Sequence, residues 1–267
     1  MLQNLRAFVR LILFFVLSLA TVLIVALGKL SIGLLYSLLG VRWKNLIIGL
    51  WATLTAKIIG LKINKKGIPP TPPFFLVSNH LSYIDVIPLW KFLDGTFIAK
   101  SEVKSWPFFG WGTKILGVLF INRQNILDAY RMNTQIAKTV SDIQGVILFP
   151  EGTSTKGEQV LSFNAPLLEY PASKQMPVHY ATITYRSNDK RWPAHRNICW
   201  WGNMAFFSHF WELLKMPGFE VDIHFNDNTV TNKDRKKLAE VLHKRVATDF
   251  LPVVTKELQI DVDSNAE

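Results

Sequence analysis

The sequence predicts an α/β protein: one domain with a central mixed sheet flanked by helices, preceded by N-terminal membrane helices. Three observations predict it. Residues 11–28 carry no ionisable side chain, the stretch KKGIPPTPP follows at residues 65–73, and short β-rich runs alternate with helical ones from there on. Such alternation is the pattern of a sheet covered by helices.

Residues 11–28 consist of Leu, Ile, Phe, Val and Ala broken by Ser, Thr and one terminal Gly, about the minimum length for a helix that crosses a bilayer. Arg6 and Arg10 precede the run as in a secretory signal, but no convincing small-residue cleavage site follows before Lys29, so the segment reads as retained rather than removed. The next apolar residues carry a helical period. Leu46, Ile47, Leu50, Trp51, Leu54 and Ile58 share one side, and Asn45, Gly49, Thr53 and Lys57 the other. That pattern fits a helix in the membrane interface as well as an amphipathic helix packed on the domain, giving either one span or a shallow two-helix hairpin. Arg42, Lys44, Lys57, Lys62, Lys65 and Lys66 outnumber Arg6 and Arg10, which places the following domain on the cytoplasmic face of the membrane.

Prolines fix φ and disfavour helix before them, so KKGIPPTPP is read as a stiff connector and the domain boundary is placed there. The chain thus divides into anchoring helices (1–66), a domain (67–255) and an acidic tail (256–267). Strands are expected at 74–78, 96–99, 118–122, 146–149, 179–185, 198–201 and 219–225. Helices are expected at 126–143, where Ile126, Ala129, Tyr130, Ile136, Ala137, Val140 and Ile143 are spaced for one face, and at about 233–250.

With 30 Lys and Arg against 20 Asp and Glu, the formal charge is +10. The basic residues are not interleaved with aromatics as nucleic-acid binding requires, and most of the nine Trp lie in or beside apolar segments, so membrane lipid is the expected partner. The single cysteine, Cys199, excludes an internal disulfide and a multi-cysteine metal site. His179, His195, His209, His224 and His243 include no pair at metal-ligand spacing with a carboxylate, and no metal site is expected.

The chemistry is concentrated in NHLSYID, where His80 follows a strand and Asp85 stands five residues on. In a regular helix those two side chains diverge, so pairing requires a turn near His80. A carboxylate on one ring nitrogen fixes the tautomer and leaves the other nitrogen free to take a proton. This is half of a hydrolytic triad, and no Gly-x-Ser-x-Gly elbow supplies the nucleophile. Two further β-rich runs end in GVLFINR, which puts Arg123 at a strand end, and FPEGTS, where Gly152 permits close approach and Thr153 and Ser154 offer hydroxyls. A guanidinium matches a phosphate. Glu151 is placed either to orient Arg123 or to bind a substrate hydroxyl.

These three motifs, in this order, resemble the glycerophospholipid acyltransferases. NHLSYID matches that family's Asn-His-x4-Asp block, GVLFINR its Gly-x-x-Phe-x-x-Arg block and FPEGTS its Phe-Pro-Glu-Gly-Thr block; Met176-Pro177-Val178 stands where a fourth, Pro-containing strand is found. The resemblance covers about residues 74–185. It implies His80 as general base, Asp85 as its orienting partner, Arg123 with Lys100 on the acceptor's phosphate, and Glu151, Gly152 and Thr153 lining the acceptor site. It further implies no cofactor and direct transfer of an acyl chain from acyl carrier protein or acyl-coenzyme A to a lysophospholipid hydroxyl. The leading acceptor is 1-acyl-sn-glycerol-3-phosphate, with a lyso-ornithine lipid as the alternative; a non-catalytic lipid-binding protein is the rival of another class. One departure from the family is that Ser154, Thr155 and Lys156 stand where many members have Arg after the Glu-Gly-Thr, which puts the headgroup in question.

Overall fold

Two uninterrupted buried runs set the centre of the sheet. In the computed structural model, which describes residues 1–31, 37–106, 109–122 and 126–254, strands β2 (Phe75–Ser78) and β5 (Gly145–Leu148) are buried at every position. Strands covered on both faces read as continuous apolar runs, and these two pair in parallel. Around them the order is β1-β7-β6-β2-β5-β3-β4, with β1 at Leu61–Lys66, β3 at Gly95–Lys100, β4 at Leu119–Ile121, β6 at Val178–Arg186 and β7 at Phe219–Phe225. β6, β2, β5, β3 and β4 run parallel; β7 is antiparallel to β6, and β1 is parallel to β7, so the sheet is mixed. In β7 the sequence FEVDIHF alternates buried and half-buried positions, as a strand with one packed face must.

The helices are α1 (Leu2–Ser31), α2 (Ser37–Ile59), α3 (Val86–Phe92), α4 (Phe109–Ile115), α5 (Ile126–Thr139), α6 (Glu169–Ser173), α7 (Ala194–Asn197), α8 (Phe206–Lys215) and α9 (Arg235–Asp249). Asp234 caps α9 by accepting the backbone N–H groups of Lys236 and Lys237. α1 is long and apolar enough to cross a membrane. Both of its ends are nevertheless held on the same body. Arg6 and Arg10 donate to the carbonyls of Lys215, Leu214 and Met216 at the end of α8, and Lys29 Nζ donates to the Ile115 carbonyl at the end of α4. The helix, about 45 Å long at 1.5 Å per residue, therefore lies along the domain. α2 packs beside it, with Trp43 Nε1 donating to the Ile24 carbonyl. Leu5, Ile12, Leu19, Leu23 and Leu27 of α1 stay exposed along the outer side.

Two expectations require correction. Residues 61–66 join the sheet as edge strand β1, ahead of the proline-rich connector at which the sequence puts the domain boundary. Residues 198–201 form no strand: the Ile198 and Cys199 N–H groups close α7 on the Ala194 carbonyl, and Trp200 N–H donates to Leu81, so their backbone groups are used outside any ladder.

Candidate active site

Because β2, β5, β3 and β4 are parallel neighbours, the segments that follow them emerge along one edge of the sheet, where ligands bind in open α/β sheets. His80 follows β2, Glu151 follows β5, and Lys100 ends β3. β4 ends at Ile121, the partner of Lys100 in register; Arg123 lies outside the described residues.

The turn that pairing requires is a single 3₁₀ turn over Tyr83–Asp85, closed by Asp85 N–H on the Ser82 carbonyl. It folds Asp85 back so that Oδ2 meets His80 Nδ1 at 2.8 Å. The same Oδ2 accepts the backbone N–H groups of Leu81 (2.7 Å) and Ser82 (3.0 Å), and Oδ1 accepts the Tyr185 hydroxyl at 2.8 Å. Asp85 is fully buried, and four donors replace its lost hydration. The carboxylate accepts the Nδ1–H of His80, which leaves Nε2 as the basic nitrogen of a side chain still 21% exposed. Phe149 stacks on the imidazole with centroids 4.1 Å apart and fixes the ring plane.

Tyr185 is a member of this site that sequence reasoning did not single out. It stands on β6, is buried, and burial raises its hydroxyl well above the usual phenol range, so it remains a donor. Asn79 ties the same motif to β6, its side chain pairing with both the N–H and the carbonyl of Ile183. Beyond the pair, Tyr83 donates to His209 Nδ1 at 2.9 Å, the direction being fixed by His209 Nε2 on the Cys199 carbonyl at 3.0 Å. Tyr83, Trp106, Trp200 and Phe206 form an aromatic cluster beside it.

Glu151 does not face the cavity. Its Oε1 accepts His80 N–H at 2.7 Å and its Oε2 accepts Leu161 N–H at 2.7 Å. Both oxygens are thereby engaged by backbone at a residue only 6% exposed. Burial pushes the carboxyl up to about 7, outweighing the two amides that favour the charged form; nearby Asp85 adds to the rise. Thr155 N–H donates to the His80 carbonyl, so both backbone groups of His80 are held by the FPEGTST loop. Gly152 makes the turn of that loop at φ +80, a conformation that L side chains rarely adopt. Ser154 is buried with its hydroxyl on the Trp200 carbonyl, and Lys156 pairs with Glu158 at 2.8 Å and lies over the Trp201 ring.

A cavity of about 530 Å³ opens beside the imidazole. His80, Lys100, Gly152 and Thr153 share its wall with apolar side chains of α1, α2, α3 and α8, among them Phe14, Ile59, Trp90 and Phe210. The structure thus brings His80 and Lys100 to one chamber, with Asp85 behind His80 and Glu151 beneath its backbone. A ligand site of this kind, largely apolar with a few convergent polar groups, suits a molecule with a long hydrocarbon part and one reacting end.

Residues 62–184 match the family model described as Acyltransferase. The chain is 28% identical over 209 residues to the lyso-ornithine lipid O-acyltransferase of Rhizobium meliloti (strain 1021), covering 73% of this chain and 72% of that protein. It is 27% identical over 173 residues to the 1-acyl-sn-glycerol-3-phosphate acyltransferase of Neisseria gonorrhoeae, covering 64% and 66%. The crystal structure of the 1-acyl-sn-glycerophosphate acyltransferase PlsC from Thermotoga maritima superposes with a TM-score of 0.57 at 21% identity, over 89% of this chain and 96% of that one, and so shares its fold.

Proposed function

We propose, from the match of residues 62–184 to the acyltransferase family model, that this chain moves a fatty acyl chain from a thioester to the free hydroxyl of a lysolipid, with His80 as the base. The observation that carries the reading is the His80–Asp85 pair, whose imidazole lines an apolar cavity where a thioester and an alcohol can meet.

A thioester is already activated, so the reaction needs deprotonation, positioning and charge stabilisation and no cofactor. Nε2 of His80 takes the proton of the acceptor hydroxyl as its oxygen attacks the thioester carbonyl carbon. The carbon–sulfur bond then breaks, and the imidazolium returns the proton to the departing thiolate. Asp85 stabilises the imidazolium between the two transfers. A positioned base contributes about 10²- to 10⁴-fold, and holding the reactants together the larger part of the rest. The acyl chain occupies the cavity, and acyl carrier protein or coenzyme A carries the thioester. The acceptor headgroup sits at the mouth, where Lys100 meets its anionic group and Gly152 and Thr153 border it; Arg123 is assigned to the same anionic group by the motif alone. Glu151 acts through His80 as a positioning residue.

The acceptor is a lysophospholipid, with 1-acyl-sn-glycerol-3-phosphate the first candidate. A lyso-ornithine lipid is the second reading, and Ser154 favours it: a serine hydroxyl bonded to a carbonyl stands where an arginine would add positive charge, and Lys156 is engaged by Glu158. The membrane site is a bilayer leaflet. The exposed apolar side of α1 enters it while both ends of the helix stay on the domain, which supports a shallow hairpin over a span, on the cytoplasmic face of the inner membrane. Purified protein given a labelled acyl thioester and a panel of lysolipids tests the reading. Esterification of at least one lysolipid is expected, and release of free fatty acid without lysolipid acylation would overturn it.

A further inference from the structure

The wall that α1 and α2 give to the cavity is not uniformly apolar. Ser18 and Thr21 of α1 and Thr55 of α2 line it beside Trp51, whose indole N–H donates to Ser18 Oγ at 3.0 Å. Thr55 is fully buried, and its Oγ1 has no hydrogen-bond partner among the described residues. A hydroxyl on a helix ordinarily bonds the carbonyl one turn back. In this chain Thr53, Thr139 and Thr248 do so, on Gly49, Gln135 and Lys244. Among the described residues, Thr55 Oγ1 is the one unpartnered buried side-chain oxygen or nitrogen that belongs to the cavity wall. A buried hydroxyl without a partner is costly, and so is a ligand hydroxyl placed in an apolar pocket; each is relieved by the other.

Resting on the acyl-transfer reading above, we propose that Thr55, with Ser18 and Thr21, forms a subsite for a hydroxyl carried on the hydrocarbon chain of the substrate. The enzyme then accepts a hydroxylated acyl chain, and accepts it at one position along the chain, because only the carbon that lies against Thr55 finds a partner. The shared chemistry is a chain hydroxyl. It arrives either on the acyl group of the donor or on the chain already borne by the lysolipid.

The experiment uses the full chain in lipid vesicles and compares kcat/KM for unsubstituted acyl thioesters with thioesters hydroxylated at successive carbons, on an unsubstituted lysolipid. A second arm pairs an unsubstituted donor with lysolipids hydroxylated along their own chain. One hydroxyl position in one arm is expected to be favoured by about tenfold over its neighbours, and the arm in which it appears identifies the source. Thr55→Val, which keeps the shape and removes the hydroxyl, is expected to lower that ratio by about tenfold, and Thr55→Ser to keep it. Thermal melting of each variant reports folding separately, and the ratio is internal to each variant. Rejection of every hydroxylated chain by the parent enzyme, or an unchanged ratio in Thr55→Val, overturns the subsite while transfer of the unsubstituted chain upholds the proposed function. Absence of transfer from every donor overturns both.

Discussion

Replacing Glu151 by Gln separates two roles that the FPEGTS motif leaves open. Glu151 spends both oxygens on backbone, Oε1 on His80 N–H and Oε2 on Leu161 N–H, each at 2.7 Å. Glutamine has nearly the same shape but only one acceptor, so its amide nitrogen must face one of those N–H groups. Losing one hydrogen bond and orphaning a buried N–H costs about 2–4 kcal/mol. In a chain of this size that lowers the melting midpoint by about 5–15 °C. A pH series gives the sign a second time. Burial raises the folded-state carboxyl from 4.5 to about 7, so the folded chain holds that proton more tightly than the unfolded one. Its stabilising contribution is full below 4.5 and is lost as pH rises to about 7, on the order of 3 kcal/mol. The midpoint gap between parent and Glu151→Gln therefore narrows from about pH 5 to about pH 8, because the variant has no such group to titrate. In activity, kcat falls as His80 loses its backbone anchor, while the acceptor KM stays within about twofold, since an interaction with substrate is not removed. An unchanged melting midpoint together with an acceptor KM raised about tenfold would refute this reasoning and return Glu151 to the acceptor site.

Tyr185→Phe removes one of the four donors on Asp85 without opening a cavity. It is expected to lower kcat about tenfold and leave the acceptor KM unchanged. A kcat equal to the parent's would reduce Tyr185 to packing. Gly157→Ala tests the fixation of the motif loop by the chain's C-terminal region. Gly157 has φ +85, an added Cβ would lie 2.7 Å from Val253 Cγ2, and the Gly157 carbonyl accepts Val253 N–H at 2.7 Å. The variant should be destabilised by about 1–3 kcal/mol, read as a lower denaturation midpoint, and an unchanged midpoint would show that the contact yields freely.

Much of the sheet was legible because its central strands are apolar throughout and β7 alternates, two patterns that burial imposes directly. β1 escaped notice because LKINKK is an edge strand whose Lys62 and Asn64 serve Glu220 and Asp222 on β7, and so it reads as a polar connector. The opposite error at residues 198–201 has the mirror cause: ICWW has the composition of a strand, but the N–H groups of Ile198, Cys199 and Trp200 are already committed to Ala194 and Leu81. At the site, His80 and Asp85 were readable because their partnership is local. Tyr185 was not, since its contact with Asp85 spans 100 residues and depends on β6 lying next to β2. The bonds of Glu151 run to backbone N–H groups, which carry no side-chain signature at all.

The central claim is that His80 is the base for acyl transfer, and the direct measurement is single-turnover transfer of a labelled acyl group to lysolipid by parent and His80→Ala protein in the same vesicles. The account predicts a rate lower by about 10²- to 10⁴-fold in His80→Ala, with membrane binding and melting midpoint close to the parent's. A variant that still transfers the acyl group within about tenfold of the parent rate would contradict it.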